Sequence, residues 1–201
     1  MIKFEDNSFY RKQTSLQACM KHELQVFKKH QQVPYRQYRE KRLKFLSGLE
    51  KASLAEEFLA AFQPKIAVFA GSFNPFHKGH FNVLQKAERI FDKVIIAFGK
   101  NPDKNQRSWS IPDSIRNRQI ETYNGLLTDF IQALGDEPTL IRGLRNSTDF
   151  QYEQNQYRYM QELMPRINIV NIYCDKEFEH ISSSGIRTLE PFKKHHKYLL
   201  D

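Results

Sequence analysis

From Gly71 to His80 the chain reads Gly-Ser-Phe-Asn-Pro-Phe-His-Lys-Gly-His, residue types suited to holding an anion. Gly71 lets the backbone come close to a phosphate. Ser72 adds a hydroxyl and an amide, and a helix starting near Lys78 turns free amides and a positive dipole end toward the same place. Gly79 leaves room at that helix start, and His80 contributes an imidazole donor. An anion there gains charge-assisted hydrogen bonds with no bulky side chain in the way. The same two histidines could instead ligate a metal, or carry no chemistry. Position favours the anion, because the turn follows the first strand of an α/β pattern, where such folds bind phosphates.

Three further clusters carry polar groups. Arg142-Gly143-Leu144-Arg145 follows the strand Thr139 to Ile141 and precedes Asp149-Phe150-Gln151-Tyr152-Glu153 at the start of a long helix. Guanidinium forks donate in pairs and suit more than one phosphate, although two arginines in a loop are by themselves only a solvated turn. Ile181-Ser182-Ser183-Ser184 enters the last helix, where serines ordinarily cap. Asn101-Pro102-Asp103-Lys104 occupies the loop after the second strand, a place where a lone lysine is ordinarily solvated.

The elements that position these residues follow from hydrophobic spacing. Lys65–Ala70 is a short apolar run, as in a buried parallel strand. It is followed by a helix over Lys78–Ile90, a strand over Lys93–Gly99 and a polar loop, Lys100 to Trp109. Ser110 with Asp113 has the spacing of a capping box opening a turn or two of helix. A strand over Gln119–Tyr123, a helix over Leu126–Leu134, the strand at Thr139, a helix over Thr148–Leu163, a strand over Ile167–Tyr173 and a turn over Ser183–Leu189 complete the series. Alternating strands and helices imply right-handed crossovers and a doubly wound parallel sheet, an α/β fold.

Residues 1–63 differ in character, with almost no glycine and with helix formers mixed with apolar residues from Tyr35 to Phe62. They form a basic helical extension, and residues 64–201 form the α/β domain. Of the net +8 carried by the 201 residues, five charges arise before Pro64, from 12 Lys or Arg against 7 Asp or Glu. Such a surplus attracts polyanions without choosing among them. Cys19 and Cys174 have neither metal-ligand nor redox spacing. The start lacks the apolar core of a signal peptide, and no stretch approaches the roughly 18 apolar residues of a membrane span, so the expected location is cytoplasmic with no membrane partner.

The HxGH turn resembles the T/HxGH signature of adenylyl- and cytidylyltransferases, with their Rossmann-like fold. The stretch Arg142–Arg145 with Asp149–Glu153, the Gly125-Leu126-Leu127-Thr128-Asp129-Phe130 segment and the ISSS turn narrow the resemblance to phosphopantetheine adenylyltransferases. It covers about Lys65 to Arg187, roughly two thirds of the chain. The resemblance implies adenylyl transfer from ATP to 4′-phosphopantetheine, giving dephospho-coenzyme A and pyrophosphate. By it, His80, Lys104 and Arg142 are catalytic, and Ser72, Lys104, Leu127 and Arg142 bind the acceptor. ATP is held by Ser72, Phe73, His80, Gly143, Leu144, Arg145, Glu153 and the run Phe178, Glu179, His180, Ile181, Ser182, Ser183 and Ser184. Mg2+ arrives with the ATP, and no residue is assigned as its ligand. The partners implied are the two substrates rather than nucleic acid, and the family's hexamers leave a homo-oligomer open.

Three departures bear on these expectations. The family reads GTFDP where this chain has Gly71-Ser72-Phe73-Asn74-Pro75, and GSFNP also occurs in nicotinate mononucleotide adenylyltransferases. Met160 stands where the family has an Asn facing pantetheine, and the helix between Ser110 and Gln119 is short. An enzyme for nicotinate or nicotinamide mononucleotide is therefore one alternative. A non-catalytic nucleotide- or RNA-binding module on the same fold is another.

Overall fold

The computed structural model describes residues 7–29, 33–100, 110–135 and 138–201. They fall into two compact units, Met1–Lys65 with Phe91–Lys93, and Ile66–Ile90 with Val94–Asp201.

The first unit is helical. A 3-10 turn, Ser8–Lys12, precedes α1 (Leu16–Lys29), α2 (Val33–Ser47) and the short α3 (Ala55–Ala60). Its apolar core joins Tyr10, Cys19, Leu46, Ala52, Ala55 and Leu59. Beside that core lies a buried ionic centre. Glu23, only 1% exposed, accepts from the Tyr10 hydroxyl at 2.5 Å, from Arg39 Nη1 at 3.0 Å and from Arg42 Nε at 3.0 Å. Burial alone would raise this carboxyl. The Arg42 charge and the bonds from Tyr10 and Arg42 outweigh it and hold Glu23 below the ordinary range. Asp92 also belongs to this unit, accepting from Lys41 Nζ and from the Lys65 amide at 3.0 Å each.

The second unit contains, in chain order, β1 (Ile66–Gly71), α4 (Lys78–Ala87), β2 (Lys93–Lys100), β3 (Ile120–Asn124), α5 (Leu127–Leu134), β4 (Thr139–Leu144), α6 (Ser147–Leu163), β5 (Ile169–Tyr173) and α7 (Ser183–Leu189). The sheet order is β3-β2-β1-β4-β5, and β1 with β4, β2 with β3 and β4 with β5 pair in parallel. This is the doubly wound α/β arrangement expected from the sequence. Its order reverses between β1 and β4, which is where such sheets open a ligand crevice beyond their carboxyl ends. The inner strands explain their apolar runs: Ala67, Val68 and Phe69 of β1 and Ile95, Ile96 and Ala97 of β2 are all buried. Among the described residues no helix is long and apolar enough to cross a membrane.

Three sequence expectations need correction. α4 stops at Ala87 rather than Ile90. β4 continues to Leu144, because pairing with β5 extends through Arg142↔Asn171, Gly143↔Ile172 and Leu144↔Tyr173. Arg142 and Gly143 therefore lie within the strand instead of after it. Ser110 and Asp113 form no capping box: the turn is a 3-10 helix, Asp113–Ile115, whose cap position is Pro112 with no side-chain bond. Its missing cap comes from Asp201, whose carboxylate accepts from the Ser114 amide at 3.1 Å and hydroxyl at 2.9 Å.

Candidate active site

The turn between β1 and α4 is built on aromatic rings. Phe73 has φ +43°, in the region that favours glycine, and its ring packs against Phe69, Phe76, His80 and Phe98 at centroid distances of 4.9 to 5.2 Å. A Cβ on Gly71 would stand 2.8 Å from that ring. Gly71 therefore accommodates Phe73. A Cβ on Gly79 would meet the His77 ring at 3.2 Å and the Phe178 carbonyl at 3.7 Å.

His77 and His80 cap α4 reciprocally. Nδ1 of His77 accepts from the His80 amide at 3.4 Å, and Nδ1 of His80 accepts from the His77 amide at 3.3 Å. The rings stack at 3.6 Å, 20° from parallel. An Nδ1 that accepts carries no proton, which assigns both rings the neutral tautomer with hydrogen on Nε2. Burial pushes His77 down to about 4, helped by the charge of Arg145. Burial, then His77 and Arg145, drives His80 well below the usual imidazole range. His80 is thus a neutral donor held in place by a backbone bond.

The arginines of β4 come next. Arg142 donates through Nη1 to the Ala70 carbonyl of β1 at 3.2 Å, and grips Glu153 of α6 through Nε at 2.5 Å and Nη2 at 2.6 Å. Arg145 meets Asp149 through its amide at 2.9 Å and through Nε and Nη2 at 2.8 Å each. Gly143 lies under Val83 of α4, 3.3 Å from where a Cβ would reach, so a side chain there would push α4 away from the sheet.

The ISSS turn closes the other side. Ser182 caps α7 by accepting from the Gly185 amide at 3.0 Å. Ser183 donates to the Pro75 carbonyl at 3.0 Å, and Arg187 donates to the Asn74 carbonyl. The HxGH turn and the ISSS helix are therefore joined by direct bonds, and Arg142 ties β4 to Ala70 at the end of β1, the residue before that turn. Ser72 is exposed in the turn, Ile181 is buried, Phe178 is half-buried, and Glu179 and His180 are exposed. Leu127 is half-buried at the first residue of α5. Lys104 lies outside the described residues.

The Cytidylyltransferase-like family model matches residues 68–189. A phosphopantetheine adenylyltransferase of Mycoplasma mycoides is 38% identical over 139 residues, 65% of this chain and 99% of that protein. The chain belongs to the phosphopantetheine adenylyltransferase family. A second member, from Cytophaga hutchinsonii, is 37% identical over 143 residues, covering 67% of this chain and 91% of its own. Among solved structures, a bifunctional NMN adenylyltransferase/ADP ribose pyrophosphatase of Francisella tularensis, complexed with AMP and a manganese ion, superposes with a TM-score of 0.47 at 17% identity, over 68% of this chain and 44% of that one.

Family motifs pointed to His80, Arg142, Arg145 and the serines, but sequence reasoning missed the residues that hold them. His77 was legible in principle, since His-x-x-His across a helix start has the spacing of a capping box. Asp149, as the carboxylate holding Arg145, could have been read from the i, i+4 spacing. Arg187 gave no local sign, because its partner Asn74 is 113 residues away.

Proposed function

We propose that this protein transfers the adenylyl group of MgATP to 4′-phosphopantetheine, releasing pyrophosphate and forming dephospho-coenzyme A in the cytoplasm, with catalysis in residues 64–201. The observation that supports this reading is that the HxGH turn following β1 holds His80 as a neutral donor while Arg142 of β4 bonds the Ala70 carbonyl at the end of β1.

An oxygen of the acceptor phosphate attacks the α-phosphorus of ATP. The new P–O bond forms in line with the breaking bond to the β-phosphate, and pyrophosphate leaves with the electron pair. The acceptor is already an anion, so no general base is needed. The protein supplies position and charge neutralisation. His80, through Nε2–H, stabilises charge on the α-phosphate, and Arg142 holds the transferring phosphates. Lys104 is assigned the same task by family resemblance. Ser72, Phe73, Gly143 to Arg145, Glu153 and Phe178 to Ser184 enclose the nucleotide, while Ser72 and Leu127 border the acceptor.

The carboxylates of Glu153 and Asp149 fix the Arg142 and Arg145 forks without engaging every N–H, which leaves oriented donors for phosphate oxygens. Among the described residues no group of three His, Cys, Asp or Glu could hold a metal. Mg2+ would come bound to the triphosphate oxygens of ATP and would neutralise charge on the leaving group.

The GSFNP sequence favours one second reading, a mononucleotide acceptor. Pyrophosphate release from MgATP with 4′-phosphopantetheine or with nicotinate mononucleotide separates the two. Release with phosphopantetheine alone supports the proposal, release with the mononucleotide alone replaces it, and silence with both points to a binding module.

A further inference from the structure

β2 and β3 end side by side, and their register pairs Gly99 with Tyr123. A Cβ on Gly99 would lie 2.8 Å from the Tyr123 hydroxyl oxygen and 2.9 Å from Cζ, so the phenol lies directly over the glycine. On its other side the ring stacks against Phe130 of α5, centroids 5.1 Å apart and planes 22° from parallel. These two contacts fix the ring at the carboxyl end of the sheet. Among the described residues no protein group bonds the hydroxyl of this half-buried tyrosine, and the oxygen is not sealed from solvent, which leaves it available to a ligand.

The hydroxyl also shares its surroundings with Arg142. Burial raises the Tyr123 phenol above its ordinary value, keeping it protonated near neutral pH, while the Arg142 charge pulls it back. Tyr123 on β3 and Arg142 on β4 therefore flank the ends of the two strands between them, β2 and β1.

We propose that the Tyr123 hydroxyl is a substrate contact, donating a hydrogen bond to the acceptor phosphate that Arg142 holds from the opposite side. This rests on the reading of the chain as an adenylyltransferase with a phosphorylated acceptor. Gly99 is then a specificity residue at one remove, since only a glycine lets the phenol lie flat over the strand end.

The test is steady-state kinetics of the full chain and of Tyr123→Phe, which removes only the oxygen. The KM for 4′-phosphopantetheine is expected to rise roughly tenfold or more, the usual effect of losing one hydrogen bond to a charged group. The KM for ATP and the melting temperature should stay unchanged. Gly99→Ala, which displaces the ring, should reproduce the acceptor effect. Pantetheine, which lacks the phosphate, should compete equally well against wild type and Tyr123→Phe. An unchanged acceptor KM in an active Tyr123→Phe enzyme overturns the proposal. So does an equal rise in both KM values, or a matching loss of pantetheine binding. A wild-type enzyme that releases no pyrophosphate with phosphopantetheine overturns the underlying reading, and the contact with it.

Discussion

The paired histidines decide how the site responds to substitution and to acid. In the proposed mechanism His80 donates to charge developing on the α-phosphate, so His80→Ala is expected to lower kcat roughly 10²- to 10³-fold with folding retained; turnover within a few-fold of wild type would remove His80 from the mechanism. His77 titrates near 4 in the folded chain against about 6.5 in an unfolded one. Between those values the unfolded chain binds a proton that the folded chain excludes, so stability drops as pH falls through that window. His77→Thr keeps a capping side chain without the titration. Its melting temperature should decline less steeply than wild type between about pH 6.5 and 4. At this scale the sequence revealed residue types tied to phosphate chemistry. It hid what the glycines do, because the space at Gly71 and Gly79 is filled by Phe73 and His77 through contacts that only the folded turn creates.

Caps and strand ends show how far local reading reaches among the elements. Among the described residues of the second unit, apolar runs and 3.6-residue periodicity locate the five strands and four α-helices, since both patterns act within one segment. The 3-10 turn after Pro112 was misread because its cap is 87 residues distant. Asp201→Ala or Ser114→Ala should lower stability by about 1 kcal/mol in urea denaturation, the typical worth of an N-cap. Ser110→Ala should change nothing, which separates the tertiary cap from the local one suggested by spacing. The end of β4 was likewise set by a neighbour: β5 keeps Arg142 in extended backbone and so aims it at Ala70.

For the molecule as a whole, counting charge in residues 1–63 gave a basic surface, yet Arg39 and Arg42 are spent internally on Glu23. No local pattern distinguishes a buried cation from a solvated one. Glu23→Gln takes the carboxylate away from two buried guanidinium groups and is expected to cost about 3–5 kcal/mol, read by circular dichroism during urea unfolding. Because Glu23 titrates below its ordinary range when folded, its contribution is full above the unfolded value. It is lost as pH falls through the folded value, which makes this unit acid-labile. The bonds from Ser183 to Pro75 and from Arg187 to Asn74 span 108 and 113 residues. A chain emerging from the ribosome carries its HxGH turn long before α7 has been made. One wall of the proposed nucleotide site is then still missing, and it closes only when Ser183 and Arg187 reach Pro75 and Asn74, so completion of that wall belongs to the late, long-range steps of folding.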